Sequence, residues 1–170
     1  MAEIADEARV SRATAYRYFP SIDALLYEAP VDLVTPDPHG LFADSDLADP
    51  VQRVDAAEAA LHEMVFANET QLRAVLCHSL KSALGGEVDA EIPRRQNRRI
   101  PLIEAALSDA KCEIAPEVYQ KLTMSLAFLF GPEGMLVCRD VLGIDAETAR
   151  SVKSWAIQAL VRSALEQSSS

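Results

Sequence analysis

The stretch "VSRATAYRYFPS", from Val10 to Ser21, gathers arginine, tyrosine, serine and threonine into twelve residues with no acid among them. These side chains suit contact with nucleic acid. Arg12 and Arg17 can each form bidentate hydrogen bonds to guanine or reach phosphates. Ser11, Thr14, Tyr16 and Tyr18 offer hydroxyls to phosphate oxygens. Tyr16 can also lay its ring against a thymine methyl, and Ala13 is small enough to let a helix sit close to base edges. The chain as a whole carries a formal net charge of -10 over 170 residues. Binding to a polyanion depends on where the cations sit rather than on their sum, so an acidic body is compatible with a neutral-to-basic tip.

For these residues to act together they must project from one helix. Ser11 is a good N-cap, and Ala15 and Phe19, four apart, share an inward face behind it. Ahead of them Ile4, Ala5 and Ala8 fall on one face of a first short helix. Pro20-Ser21 stops the second helix, and Ser21 can cap a third, with Asp23 near its positive end and Ala24, Leu25 and Leu26 continuing it. Pro30 is expected to break or kink that helix. Helix, tight turn, helix is the arrangement that lays a second helix in the major groove of double-stranded DNA. Residues 1–34 therefore read as a DNA-binding domain.

The stretch "TPDPHGLFADSDLADP" follows, with three prolines, a glycine, four aspartates and no period; residues 35–49 read as a linker. Residues 50–166 read as a larger helical domain. Ala57, Ala60, Leu61, Met64 and Val65 mark one helical face, Leu72, Val75, Leu76, Ser79, Leu80 and Ala83 the next, ending at Gly85-Gly86. Ile100, Ile103, Ala106 and Leu107 mark another. No strand shows clean alternation, so the fold class is all-α.

The last two helices are apolar on more than one side. Val118, Leu122, Leu126 and Leu129 form one stripe, flanked by Tyr119, Thr123, Ala127 and Phe130 and broadened by Met124 and Phe128. In the final helix Val152, Trp155, Ala156, Ala159, Leu160 and Ser163 form one stripe, and Ile157, Val161 and Leu165 a second. A helix with one wet side needs only one apolar stripe. Two stripes call for burial on two sides, which a second copy of the chain supplies through a two-fold four-helix bundle. Tyr119, Met124, Phe128, Val152, Trp155, Ala159 and Leu160 are the expected interface of this homodimer.

The chain contains no G-x-G-x-x-G, P-loop, G-x-S-x-G or H-E-x-x-H motif. Glu58 and His62, one helical turn apart, read as a surface pair. No catalytic set and no cofactor is expected. Cys77, Cys112 and Cys138 with His39, His62 and His78 lack the clustering of a metal site and read as buried or half-buried reduced thiols beside ordinary histidines. Glu3, Asp6 and Glu7 stand where a secretory signal has its basic region. The longest apolar run, Leu126 to Phe130, is far short of the roughly 20 residues of a membrane span, so a cytoplasmic protein is expected. "RRQNRR", Arg94 to Arg99, reads as a solvated helix start pairing with Glu87, Asp89 and Glu91.

The wording "IADEARVSRATAYRYFPSIDALL", Ile4 to Leu26, resembles the helix-turn-helix signature of the tetracycline-repressor (TetR) family of bacterial regulators. The matching residues are Ile4-Ala5, Ala8, Val10-Ser11, Thr14, Tyr16, Phe19, Pro20-Ser21 and Leu25-Leu26. "GPEGMLVCRDVLGID" followed by "WAIQALVRSAL" is similar to the last two helices of that family's ligand-binding and dimerisation domain. The resemblance implies that Arg12, Ala13, Tyr16 and Arg17 face bases and that Ser11, Thr14 and Tyr18 face phosphates. It implies a homodimeric repressor on a near-palindromic operator, released by a small, mostly apolar effector. Met64, Phe66, His78, Ile103, Leu107, Leu126 and Phe130 are then candidates for the effector pocket, with polar contacts among Asn68, Gln71, His78 and Thr123. Arg9 stands where the family has a turn glycine, Ile22 where it has a lysine, and Pro30 and Pro132 where its helices run on. The helix that usually precedes Ile4 is expected to be missing, which leaves the helix-turn-helix incomplete. The alternative is a dimeric ligand-binding or protein-interaction module whose shortened head no longer docks on DNA.

Overall fold

The computed structural model describes residues 1–19, 21–84 and 97–168, and all regular structure among them is helical. In chain order these are α1 (Ala2–Glu7), α2 (Arg12–Tyr18), α3 (Ile22–Val34), a single 3-10 turn (Gly40–Phe42), α4 (Pro50–Ala67), α5 (Glu69–Leu84), α6 (Arg99–Ala106), α7 (Pro116–Leu129), α8 (Pro132–Leu136), a wide π-type turn (Val137–Val141) and α9 (Ala146–Ser168). Gly85-Gly86, Arg94, Arg95, Gln96 and the acids Glu87, Asp89 and Glu91 lie outside the described residues.

The chain divides into two compact units. One contains residues 1–34 with 70–96, the other residues 35–69 with 97–170. The sequence grouped everything from residue 50 to 166 together; by its contacts, the part of α5 from Thr70 onward groups with the amino-terminal helices. In the first unit Ala5, Val31, Leu72, Val75 and Leu76 are buried, and α1 packs on α2. Leu80 departs from its expected face and is exposed. Helix α3 also differs from expectation: it runs on through Pro30 to Val34 without a break. The proline removes one hydrogen bond, to the carbonyl of Leu26, whose side chain lies on the exposed side of the helix.

The second unit is built on α4 and α9. Asp49 caps α4, its carboxylate accepting from the Val51 N–H at 3.0 Å, with Pro50 as first helical residue, where no N–H is needed. Helix α4 packs against α6 and α9, and α7 packs against α6 and α9. Val54, Ala57, Leu61, Val65, Leu102, Ile103, Leu107, Leu126, Phe130, Met135, Ile157 and Val161 form its core. Ser168, near the end of α9, accepts from the Ala115 N–H at 3.1 Å, which sets that end beside the start of α7.

The two-stripe pattern of the carboxyl-terminal helices is resolved here. Ile157 and Val161 face the core and are fully buried, while Trp155 is 74% exposed on the opposite stripe. On α7, Leu122 and Leu126 are buried while Phe128 is 81% exposed. Pro132, which stands where the family's helices run on, marks a break: α7 stops, Gly131 takes a φ of 101°, and α8 starts at the proline with a 47° bend between the two helical stretches. Arg99 fills the space beside this glycine and donates to the Ala127 carbonyl and the Glu133 carboxylate, at 2.9 and 2.7 Å. The last arginine of "RRQNRR" is thus a fastener of the α7–α8 bend. Among the described residues no single helix is long and apolar enough to cross a membrane.

Candidate nucleic-acid interface

Helix α1 ends in a Schellman closure. The Arg9 N–H donates to the Asp6 carbonyl at 3.1 Å, and the Val10 N–H reaches back to the Ala5 carbonyl at 3.0 Å. This closure needs a left-handed residue at its penultimate position, and Arg9 supplies it with a φ of 54°, unlike every other non-glycine residue described. The turn forms without a glycine, at the steric cost of a Cβ in that conformation.

One residue on, Ser11 turns extended and caps α2. Its Oγ accepts from the Thr14 N–H at 3.0 Å and lies 2.8 Å from the Thr14 hydroxyl. The serine and threonine therefore fix the start of the helix as well as standing at its surface. At about 100° per residue, Arg12, Tyr16, Ala13 and Arg17 sweep an arc of about 140°, Thr14 and Tyr18 follow it, and Ala15 and Phe19 lie on the remaining side. The exposures agree with that wheel. Arg12, Ala13, Tyr16, Arg17 and Tyr18 are exposed, whereas Ala15 and Phe19 are half-buried. The guanidinium of Arg17 lies over the Tyr18 ring, 5.3 Å from its centroid, which steadies both. Acid and base are also segregated. Glu3, Asp6 and Glu7 sit on or at the end of α1, while Arg9, Arg12 and Arg17 sit on the turn and α2. All three arginines are exposed.

An exposed second helix, set by a tight turn and carrying its cations on its outer arc, defines a helix-turn-helix DNA-binding protein. The profile of the bacterial regulatory proteins of the tetR family matches residues 1–29. Over these residues the chain is similar to the DNA-binding segment of TetR-family transcriptional regulators. The chain matches none of the curated proteins and none of the solved structures with which it was compared.

The other expected site residues are distributed as follows. Met124, Phe128, Val152, Trp155 and Ala159 are exposed, and Tyr119 and Leu160 are half-buried. Of the pocket candidates, Ile103, Leu107, Leu126 and Phe130 are fully buried packing residues; Met64 and Phe66 are half-buried; His78 belongs to the first unit. Phe66 stacks on His62 with ring centroids 4.3 Å apart, and Arg139 lies over it at 5.0 Å. Cys138 is buried, but Cys77 and Cys112 are exposed, against expectation: they occupy outward positions of their segments.

The Glu58–His62 pair differs most from its sequence reading. It is not at the surface: Glu58 is 0% exposed and His62 6%. Lys153 of α9 forms a buried ion pair with Glu58, and Arg150 lies 3.5 Å from the other carboxylate oxygen and 2.8 Å from Asp55. Burial pushes the Glu58 carboxyl up, against the opposing pull of Lys153. Burial, with the charges of Lys153 and Arg150, pushes His62 down to about 4, and its Nε2 lies 3.0 Å from the Ala146 carbonyl. The imidazole is therefore neutral near pH 7 and donates to that carbonyl. The partners come from α9, where Lys153 is 95 residues from Glu58 in the chain, beyond the reach of any local sequence signal.

Proposed function

We propose that the chain is a cytoplasmic, homodimeric repressor that binds a near-palindromic operator and is released by a small, mostly apolar effector. The observation that carries this reading is the outward arc of α2. Arg12, Ala13, Tyr16 and Arg17 read base edges, and Ser11, Thr14 and Tyr18 hold phosphates. The exposed apolar stripe of Met124, Phe128, Val152, Trp155 and Ala159 supports the second half of the proposal. Large apolar side chains left in water on two helices of one unit call for a matching surface, and a two-fold copy of the same stripe is self-complementary. A dimer sets two recognition helices at a fixed separation and so calls for half-sites spaced by whole turns of DNA.

The test is selection of bound duplexes from a randomised pool, with sedimentation of the free protein at micromolar concentration. The expected result is enrichment of an inverted repeat, retention that falls steeply as salt rises, and a dimer that Trp155→Glu converts to single chains. Enrichment of no sequence, with a dimer still present, supports the alternative of a ligand-binding or protein-interaction module.

A further inference from the structure

The second unit contains a cavity of about 480 Å³ between the segment after α3, the start of α4 and the outer side of α6. This volume suits a small organic ligand. Pro38, Phe42 and Pro101 supply apolar wall, and His39, Arg53, Glu104 and Ser108 are its polar members. Arg53 is 8% exposed, and four of its five N–H donors are engaged. Nε donates to the Ala106 carbonyl at 3.0 Å, Nη1 to the Leu47 carbonyl at 3.2 Å, and Nη2 to the Ala105 carbonyl at 3.1 Å and the Ser108 hydroxyl at 3.5 Å. Its planar head also lies 4.3 Å from the centroid of the Phe42 ring, with Asp109 3.8 Å away.

An arginine so fully engaged offers little to an anionic ligand. It works as a fastener, holding Phe42 and the end of α6 in place as a firm wall. The Ser108 hydroxyl is likewise engaged, donating to Asp109 at 3.0 Å. Glu104 is different: its side chain is exposed, it forms no ion pair or hydrogen bond among the described residues, and its charge also acts on the neighbouring Tyr119. The cavity therefore combines an apolar wall with an exposed carboxylate at its edge, while its guanidinium is held by carbonyls of the same wall.

We propose that this cavity binds a small organic cation, an apolar ring carrying one ammonium group, with the ring against Phe42 and Pro101 and the ammonium on Glu104. None of the pocket candidates read from the sequence lines it. Its wall also belongs to the segment that leaves Val34, the last residue of α3, so an occupant holds the chain just after the DNA-reading helices. That regulatory consequence rests on the effector reading above; the binding site itself does not.

The probes are phenethylamine and 3-phenylpropionate, a matched ammonium and carboxylate, titrated into the full chain by calorimetry and ligand-observed NMR. Phenethylamine is expected to bind at least tenfold more tightly than 3-phenylpropionate. Glu104→Gln is expected to lose at least tenfold for the amine, and Glu104→Lys to reverse the preference, both with unchanged melting temperature because the side chain is exposed. Equal affinity for the two probes, or an unaltered amine affinity in Glu104→Gln, overturns the proposal. The DNA arm adds phenethylamine to the protein on its selected duplex. Binding through Glu104 with DNA retention unaltered upholds the site and defeats the effector reading. Release of DNA by some other compound, with no amine bound, defeats the site and leaves the effector reading in place.

Discussion

Two regions of this chain hold charge in opposite ways. On α2, Arg12 and Arg17 stand in solvent, held by local devices: a Schellman turn, a serine cap and a neighbouring tyrosine ring. Between α4 and α9, Glu58 and Lys153 are almost wholly removed from water and are held only by each other, Arg150 and the surrounding core. The first arrangement costs little desolvation and keeps its charge available to a partner. The second carries a heavy desolvation cost and gives nothing to a partner; what it fixes is the register of α9 against α4. Since α9 carries the exposed Trp155 stripe on its opposite side, the buried pair also sets where that stripe points.

The largest effect that can break this comparison is loss of one buried partner. Lys153→Met leaves Glu58 with only Arg150, which is shared with Asp55, and should cost about 3–5 kcal/mol in chemical denaturation. Adding Glu58→Gln should recover much of it, since the poorly compensated charge is gone. A loss below about 1 kcal/mol would reduce the pair to the status of a surface bridge.

Acid sharpens the same contrast. His62 titrates at about 4 in the folded chain against an ordinary 6.5, so between these values the unfolded chain binds more protons. Its contribution is present above pH 6.5 and lost as pH falls toward 4. Glu58 runs the other way: its raised carboxyl holds a proton more readily when folded, so its contribution fades as pH rises through that raised value. Melting temperatures from pH 7 down to 4 should therefore fall less steeply in His62→Gln than in the parent chain.

On the exposed side, Arg17→Ala should weaken binding to the selected duplex by about 1–3 kcal/mol if Arg17 reads a base. Its stability should move by no more than about 0.5 kcal/mol. Unchanged affinity in a gel-shift titration removes Arg17 from the reading arc. The smallest effect belongs to the turn. Arg9→Gly should raise stability by up to about 1 kcal/mol by relieving the left-handed strain, less the chain entropy that glycine adds to the unfolded state. A loss of stability would show that the Arg9 side chain contributes more than its backbone costs.

Much of the molecule was legible in the sequence because its signals are local. Ser11 as a cap, the Ala15–Phe19 inner face, the break at Pro132, and the two stripes of α9 each depend on residues within a turn or two of one another. The turn at Arg9 could be placed from the neighbouring residues even though its glycine is absent. Pro30 misled because a proline removes one hydrogen bond, and a helix whose affected carbonyl lies on its exposed side absorbs that loss.

By itself, then, the sequence determined the helices, the cationic arc of α2 and the family that segment resembles, since these follow from periods, caps and a contiguous motif. The tertiary structure alone decided that Glu58 and His62 are core residues, that Arg99 and Arg53 are fasteners, and that Glu104 edges a cavity. Those outcomes depend on partners tens of residues away. Whether a charged side chain is solvated or buried is decided by what packs over it, and no pattern of neighbours in the chain records that.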